Sequence, residues 1–168
     1  MIHVCSLARL HSTIAETGAR HVVTLLGVED EVVLPAGVPA GNHLRLQVHD
    51  ITGPMDGFVT PQIEHVEQLL HFVQGWRRDA PMVIHCYAGI SRSTAAAFAT
   101  VCALNPKRDE CVIAQTLRRA SHTAYPNARI VQIADQLLAR DGRMVAAVEG
   151  IGRGTIAAEG EPFRLDLE

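Results

Sequence analysis

Short apolar runs alternate with segments of helical periodicity through the first part of the chain. Ile2–Cys5 is typical of a short strand, Ser12–Ala19 of a helix closed by Gly18, and His21–Leu26 of a buried strand that ends at Gly27. Strands that alternate with helices in this way predict an α/β fold with a parallel sheet.

The next part of the chain predicts a connection, a strand and a loop. Proline and glycine residues interrupt Glu29–Asn42, so we expect a connection there, with a brief strand possible at Val32–Leu34. His43–His49 alternates apolar and polar side chains, which is the period of a half-buried strand. Asp50 stands at the end of this strand, and Ile51–Val59 has the composition of a loop.

Four helices are predicted in the rest of the regular pattern. Thr60 and Pro61 are typical of an N-cap and a first helical residue, and apolar side chains then recur at helical spacing to about Arg78. The next predicted helix, Ser93–Leu104, is apolar nearly all round, as expected of a helix packed on both sides. The last three predicted helices are Ser93–Leu104, Asp109–Ala120 and Asn127–Arg140.

A chain of 168 residues is long enough for one hydrophobic core and too short for two comfortable domains. The regular pattern covers residues 1–140, which we interpret as one domain. Residues 141–168 are expected to be a C-terminal extension that is partly helical or loosely docked. Met144–Val148 could extend a helix, whereas Gly150–Glu168 is rich in glycine.

Charge and hydropathy exclude several classes of partner. The net charge is −3 and the basic residues are scattered, so no nucleic-acid-binding stripe is present. The longest nearly unbroken apolar run, Ala95–Leu104, is far shorter than the roughly 20 residues of a membrane span. The N-terminus lacks a basic-then-apolar signal pattern. We therefore expect a cytoplasmic protein that binds neither nucleic acid nor membranes.

The cysteines and histidines do not have the spacing of a metal site. The four cysteines show no Cys-x2-Cys pair, and His65 and His71, six residues apart, point to different faces of one helix. Cys102 and Cys111 have the setting of small core residues. We expect no metal and no cofactor.

The chemistry concentrates where a predicted strand, Met82–His85, meets the apolar helix that follows. Cys86 and Arg92 bracket five short residues there, Tyr-Ala-Gly-Ile-Ser. A tight loop at a helix N-terminus turns backbone N–H groups toward its centre, which makes a site for an oxyanion such as phosphate. The same positive field favours the thiolate of Cys86, and Arg92 can bind two phosphate oxygens through its planar guanidinium.

At these residues the chain resembles the cysteine-dependent protein tyrosine phosphatase superfamily, whose loop is His-Cys, five residues, Arg, then Ser or Thr. The form His-Cys-x-Ala-Gly-x-Ser-Arg-Ser is closest to the dual-specificity phosphatases, and Pro126-Asn127 resembles the start of their last helix. The resemblance implies a catalytic domain over residues 1–140. It also implies a central sheet of four to five mostly parallel strands, with helices on both faces.

The resemblance implies a role for each residue of the loop. Cys86 would attack phosphorus and form a phosphocysteine, and Ser93 would stabilise the thiolate as it leaves. The alternative role of Ser93 is a helix cap, and the two roles are compatible. His85 would order the loop through hydrogen bonds, the alternative being an ordinary buried histidine. The phosphate oxygens would be held by Arg92 and by the backbone amides of Tyr87, Ala88, Gly89, Ile90, Ser91 and Arg92.

The family also uses an aspartate, carried on a separate loop, as general acid. Asp50 and Asp56 are both candidates, and we predict Asp50, because it ends a strand and is rigidly supported. The same carboxyl group would later take a proton from the attacking water. Two roles are open for Asn127: it braces the loop from behind, or it starts a helix.

Three other functions compete with that of a protein phosphatase. A phosphate-binding pseudophosphatase and a phosphatase of small phosphorylated metabolites stay open, whereas a sulfur transferase of rhodanese type is disfavoured by its shorter loop. Tyr87 and Ile90 stand where inositide phosphatases usually carry lysines, so the expected substrates contain phosphotyrosine, phosphoserine or phosphothreonine. The oligomeric state is open. Cys5 is a conceivable partner for an oxidised Cys86.

Overall fold

The computed structural model describes residues 1–167, in which five strands form a single sheet. The strands are β1 (Ile2–Ser6), β2 (His21–Leu26), β3 (His43–Gln47), β4 (Met82–Cys86) and β5 (Phe163–Leu165). Their order is β3-β2-β4-β1-β5, in which the first four are parallel and β5 runs antiparallel to β1. The predicted α/β fold with a mostly parallel sheet is confirmed.

Helices cover both faces of the sheet, as predicted. They are α1 (Leu10–Thr17), α2 (Ile63–Gln74), α3 (Arg92–Leu104), α4 (Glu110–Ala120), α5 (Ala128–Leu137) and α6 (Arg143–Ile151). On one face α1 packs against β1 and β4, where Leu10 and Ile14 join Val22 and Val83 in a small apolar cluster. On the other face α3 packs on β4, and α2, α4 and α5 surround α3.

The central strand β4 and the helix α3 form the middle of the larger core. All five residues of β4 are buried, and α3 is buried from Arg92 to Cys102. The small side chains of Ala95–Ala97 and Ala99 let the sheet and the neighbouring helices approach this helix closely. The turn between β4 and α3 is therefore held by packed elements on both sides.

The prediction that Thr60 and Pro61 begin a helix is wrong. The Thr60 hydroxyl donates to the carbonyl of Gly53 at 3.2 Å and so closes the preceding loop instead of capping a helix. Gln62 occupies the N-cap position of α2, and its backbone N–H donates to Nδ1 of His65 at 3.0 Å. At its other end α2 stops at Gln74, before the predicted limit near Arg78.

Two smaller predictions also differ from the structure. Val32–Leu34 forms no strand, because Val32 and Leu34 pack against the cluster around α1 instead of pairing with the sheet. The last predicted helix ends at Leu137, not at Arg140. Ala139 has a positive φ of 52°, which a helix does not allow, and the side chain of Arg140 turns inward to donate to Glu110 at 2.6 Å.

The C-terminal segment contains the helix α6 and the strand β5, and both dock on the rest of the molecule instead of lying loosely. The helix α6 packs against α4 and α5, and the chain then returns to the sheet, where β5 pairs with β1 from Ile2 to Val4. Glycines in Gly150–Glu168 suggested looseness, but Phe163 and Leu165 are buried in the main core and fix the segment. Residue 168 lies outside the described residues.

Among residues 1–167, no helix is long and apolar enough to cross a membrane.

Candidate active site

The loop Cys86–Arg92 turns sharply between β4 and α3, and one glycine makes the turn possible. Gly89 has a φ of +73°, in the left-handed region that side chains disfavour. A Cβ atom there would lie 2.8 Å from the backbone carbon of Cys5 and the nitrogen of Ser6. The loop therefore rests directly on the end of β1, and no larger residue fits at this position.

Four carbonyl groups of the loop point outward and are bound by backbone N–H groups from other segments. Tyr87 O accepts from Leu7 at 3.1 Å and Ala88 O from Gly160 at 2.9 Å. Ile90 O accepts from Tyr125 at 2.9 Å, and Ser91 O from Asn127 at 3.2 Å. In a planar trans peptide the N–H points opposite to the C=O. The N–H groups of residues 88, 89, 91 and 92 therefore point into the loop, as an anion site requires.

Cys86 lies at the end of β4, beside the start of α3, and is almost fully buried. Its Sγ atom lies 3.1 Å from Oγ of Ser93, which is buried and can donate a hydrogen bond to a thiolate. The N-cap position of α3 belongs to Ser91, so Ser93 is not the cap of this helix. The structure thus places the Ser93 hydroxyl against the predicted nucleophile.

Arg92 is a buried cation without a counter-ion among residues 1–167. The residue is 8% exposed, and its Nη1 atom donates to the carbonyl of Val48 at 2.9 Å. The guanidinium forms no ion pair, and its Nε atom is buried without a hydrogen-bond partner in the described chain. A buried charge is costly unless it is paired, so this side chain is built to receive an anion.

The structure brings Asp50 to the same cleft as Cys86, whereas Asp56 does not line it. Oδ1 of Asp50 accepts hydrogen bonds from Oγ of Ser91 at 2.6 Å and from Nδ2 of Asn127 at 2.9 Å. Both contacts use Oδ1, which leaves Oδ2 without a hydrogen bond in the described chain and free to carry a proton. Asp50 as the general acid stays a prediction.

Asn127 combines the two roles that its sequence position suggested. Its Oδ1 atom accepts from the backbone N–H groups of Arg129 and Ile130, each at 3.1 Å, so it caps α5. Its Nδ2 atom donates to Asp50 and, at 3.3 Å, to the carbonyl of Ile51. The side chain therefore joins the start of α5 to Asp50 and Ile51, which follow β3.

His85 is fully buried and is held by Thr24, which the sequence did not single out. Its Nε2 atom lies 2.8 Å from Oγ1 of Thr24, which also lies 2.9 Å from Nε2 of His43. Burial lowers the pKa of His85 to about 4, so the imidazole is neutral at physiological pH. The hydrogen bond of its Nε2 atom thus goes to β2 and not to the loop that follows.

His49, next to Asp50, was also missed by sequence reasoning. Its Nδ1 atom accepts from the N–H of Val59 at 2.8 Å, and its own backbone N–H donates to the Val59 carbonyl at 2.8 Å. The proton on Nε2 can then be donated to Glu29 at 2.9 Å, while Phe58 packs edge-on against the ring. These contacts join both ends of the loop that follows Asp50. Only the adjacency to Asp50 could have indicated them.

The loop lies at the base of an open cleft of about 1080 Å³. Exposed aromatic side chains, Phe58, Tyr87 and Tyr125, form part of its walls. The guanidinium of Arg153 lies 5.4 Å from the centre of the Tyr125 ring. The carboxylates that line the cleft outnumber its two arginines, since they are Glu29, Asp30, Asp50 and Glu149.

The other cysteines and the histidines do not extend the site; Cys102 is buried in the core as predicted, whereas Cys111 is exposed and that prediction is wrong. Burial raises the pKa of Cys5 to about 12, and Cys5 packs in the cluster around α1 while Cys86 packs in the main core. Cys5 lies on β1 beside β4, where Ser6 pairs with Cys86, and its role as a partner for an oxidised Cys86 stays a prediction. Within residues 1–167 no three His, Cys, Asp or Glu side chains are grouped to hold a metal ion.

Several solved structures share this fold. The crystal structure of DUSP15 is 17% identical over 89% of each chain, with a TM-score of 0.63. The human tyrosine phosphatase-like serine/threonine/tyrosine-interacting protein is 18% identical, with 83% of this chain and 92% of that one covered and a TM-score of 0.64. PTPMT1 is 14% identical over 87% of this chain and 94% of its own, with a TM-score of 0.60.

A search of curated protein sequences finds no match. The family model described as protein-tyrosine phosphatase matches residues 36–138, which are 103 of the 168 residues. That range holds the nucleophile loop, both candidate acids and Asn127. The chain therefore belongs to the protein-tyrosine phosphatase family.

Proposed function

We propose that the protein is a phosphomonoester hydrolase that works through a cysteinyl-phosphate intermediate. The observation that carries this proposal is Arg92, a buried cation with an unpaired Nε atom, beside Cys86 and a ring of inward-pointing amides. A phosphate dianion would neutralise the guanidinium and accept from the amides at the same time. No other arrangement in the described chain joins a nucleophile to an anion site.

In the first step the Cys86 thiolate attacks phosphorus, and the bond from phosphorus to the leaving oxygen breaks. That oxygen takes a proton from Asp50, whose Oδ2 atom is free of other hydrogen bonds in the described chain. Arg92 and the loop amides stabilise the equatorial oxygens as charge builds on them. The products of this step are an alcohol or a phenol and a phosphocysteine.

In the second step water attacks the phosphocysteine, and the ionised Asp50 takes a proton from it. The bond between phosphorus and sulfur breaks, so Cys86 leaves as a thiolate. The Ser93 hydroxyl, 3.1 Å from Sγ, is placed to donate to that thiolate and lower its free energy. Inorganic phosphate is released and the starting state returns.

The substrates we propose are phosphorylated side chains of proteins, phosphotyrosine first. An open cleft with exposed Tyr87, Tyr125 and Phe58 suits an aromatic side chain on a larger partner. The lining carboxylates disfavour molecules with several phosphates, because each extra phosphate would lie near like charge. The lining carboxylates and the absence of lysines at positions 87 and 90 both disfavour inositides as substrates.

Hydrolysis of p-nitrophenyl phosphate by the wild type and by Cys86→Ser tests the reaction. We expect turnover by the wild type and none by the variant, which still folds and binds phosphate. A wild type that binds phosphate and hydrolyses neither this ester nor phosphopeptides would contradict the proposal and favour a phosphate-binding module. A panel of peptides that differ only in phosphotyrosine, phosphoserine or phosphothreonine then tests the substrate.

A further inference from the structure

The segment between α6 and β5, residues 152–162, crosses the outer side of the phosphate loop, and we call it the C-terminal strap. Its Thr155 N–H donates to the carbonyl of His122 at 2.9 Å, and its Gly160 N–H donates to the carbonyl of Ala88 at 2.9 Å. The hydroxyl of Ser6, at the end of β1, donates to the carboxylate of Glu159. The strap therefore contacts β1, the loop before α5 and the phosphate loop itself.

The backbone of Gly160 packs directly against the loop that holds Cys86. A Cβ atom at this position would be 3.0 Å from the Gly89 carbonyl oxygen, 3.2 Å from Oγ1 of Thr123 and 3.3 Å from a side-chain carbon of Ile90. Gly160 is buried, whereas Ile156 in the same strap is 82% exposed. The strap is thus held at the loop by backbone contact and not by a large apolar anchor.

The carbonyl that Gly160 binds has no second donor in the described chain. The Ile90 and Ser91 carbonyls each also accept from Oγ1 of Thr94, and Ser91 O accepts from the Ala95 N–H in α3 as well. The Ala88 carbonyl accepts from Gly160 alone. It belongs to the peptide group that precedes Gly89, the residue with the greatest conformational freedom in the loop.

We infer that the Gly160 N–H is a positioning group for phosphate binding. By fixing the Ala88 carbonyl outward, it holds the Gly89 N–H toward the bound phosphate, because the two groups of one peptide point in opposite directions. The strap lies beyond residue 138, where the family match ends, so a segment outside the matched region completes this chain's anion site. The inference concerns phosphate binding and rests on the proposed function only for its effect on turnover.

The test compares Gly160→Pro, which removes the N–H, with Gly160→Ala, which keeps it and adds a Cβ against the loop. Gly150→Ala is the matched control, because a Cβ at Gly150 meets nothing within 4 Å. The readout is the dissociation constant for inorganic phosphate, measured by calorimetry on the full chain, with the melting temperature recorded for each variant.

We expect Gly160→Pro to weaken phosphate binding at least tenfold and Gly160→Ala to weaken it by a smaller factor, while Gly150→Ala binds as the wild type does. kcat/KM for p-nitrophenyl phosphate should fall in parallel. If Gly160→Pro does not fold, glycolic acid introduced at position 160 by protein ligation replaces it in the test, because the resulting ester exchanges only the N–H for an oxygen. A folded variant that lacks the N–H at position 160 and binds phosphate as the wild type does would overturn the inference, even with a lower melting temperature.

The two proposals fail in different ways. If the wild type binds phosphate but hydrolyses no ester, the proposed function fails, and the comparison of phosphate affinities still decides the role of Gly160. If the wild type hydrolyses p-nitrophenyl phosphate and the Gly160 variants bind phosphate normally, only the role of the strap is overturned.

Discussion

The Nδ2 atom of Asn127 lies 2.9 Å from Oδ1 of Asp50, although 77 positions separate the two residues along the chain. The contact fixes the candidate general acid to the first turn of α5. The hydroxyl of Ser91, which belongs to the phosphate loop, donates to the same oxygen at 2.6 Å. Asp50 is therefore oriented by the anion site and by a helix terminus together, and its Oδ2 atom has no hydrogen bond in the described chain.

Asp50→Asn should lower kcat in a way that depends on the leaving group. An amide cannot supply the proton, so an alkyl or phenyl phosphate, whose leaving oxygen is strongly basic, should lose about 10²- to 10⁴-fold. p-Nitrophenyl phosphate, whose leaving group needs little protonation, should lose much less. Steady-state kinetics on a series of aryl phosphates of graded basicity measures this dependence.

Asp56→Asn is the matched control, since Asp56 is in the same loop region and does not line the cleft. We expect its rates to stay within about twofold of the wild type across the series. If the leaving-group dependence appears in Asp56→Asn and not in Asp50→Asn, the general acid is Asp56 and the prediction is wrong.

Asn127→Asp separates the two roles of Asn127. A carboxylate caps α5 as well as an amide does, so any loss in the free energy of unfolding should come from repulsion with Asp50 and not from the cap. It cannot donate to Asp50, and it places a like charge beside it, which favours the protonated acid. The basic limb of the pH profile of kcat/KM should therefore move to higher pH, by roughly one unit.

The profile is measured with phenyl phosphate, for which protonation of the leaving oxygen matters most. Asn127→Ala serves as the comparison, because it loses the cap and the donor without adding charge, and we expect it to cost about 1 kcal/mol of stability. An Asn127→Asp profile that coincides with the wild-type profile would show that the contact with Asp50 does not control the reaction.

The phosphate loop could be predicted from the sequence because its parts are contiguous. Cys86, Gly89, Arg92 and Ser93 all fall within one turn between a strand and a helix, so local spacing describes their geometry. The sheet and most helices were predictable for the same reason, since hydrophobic periodicity is a local property. Asp50 required the resemblance, because nothing beside it in the sequence says which loop it faces.

The supporting residues could not be predicted, because their contacts join distant segments. Thr24 on β2 and His43 on β3 have no motif, yet the parallel pairing of β2 with β4 brings Thr24 to His85. Gly160 lies in a stretch whose composition suggested looseness, and only the path of the chain back to β1 places it on the loop. Composition describes the average tendency of a segment, not its partner.

Ser93→Ala tests the second chemical step. Loss of a hydrogen bond to a developing thiolate is worth about 1.5–3 kcal/mol, so hydrolysis of the phosphocysteine should slow by roughly 10- to 100-fold. Formation of the intermediate should change less, because the thiolate then is the attacking group. Rapid mixing with p-nitrophenyl phosphate should show a burst of nitrophenol equal to one per active site.

Ser91→Ala is the companion variant, because Ser91 Oγ donates to Asp50 and not to Cys86. It should affect both steps, since Asp50 is used in each, and should produce no new burst. A Ser93→Ala enzyme that shows no burst, together with a uniformly lower rate, would contradict the role of Ser93 in releasing the thiolate.

The buried neutral His85 should make stability depend on pH. Its pKa is about 4 in the folded protein, because burial disfavours the charged form, against 6.5 for an exposed histidine. The unfolded chain therefore binds the proton more strongly than the folded chain. The contribution is fully present above pH 6.5 and is lost as the pH falls from 6.5 toward 4, by at most roughly 3 kcal/mol.

Urea denaturation at several values between pH 7 and pH 4.5 measures this loss in the wild type and in His85→Gln, which can still hydrogen-bond to Thr24 but cannot titrate. The variant should lose less stability over this range, although burial also lowers the pKa of His43 and of other histidines, which keep part of the slope. His71→Gln, at an exposed position on α2, should keep the wild-type slope. Equal slopes in His85→Gln and the wild type would mean that His85 is not held neutral by burial, and its hydrogen bond to Thr24 would then need another explanation.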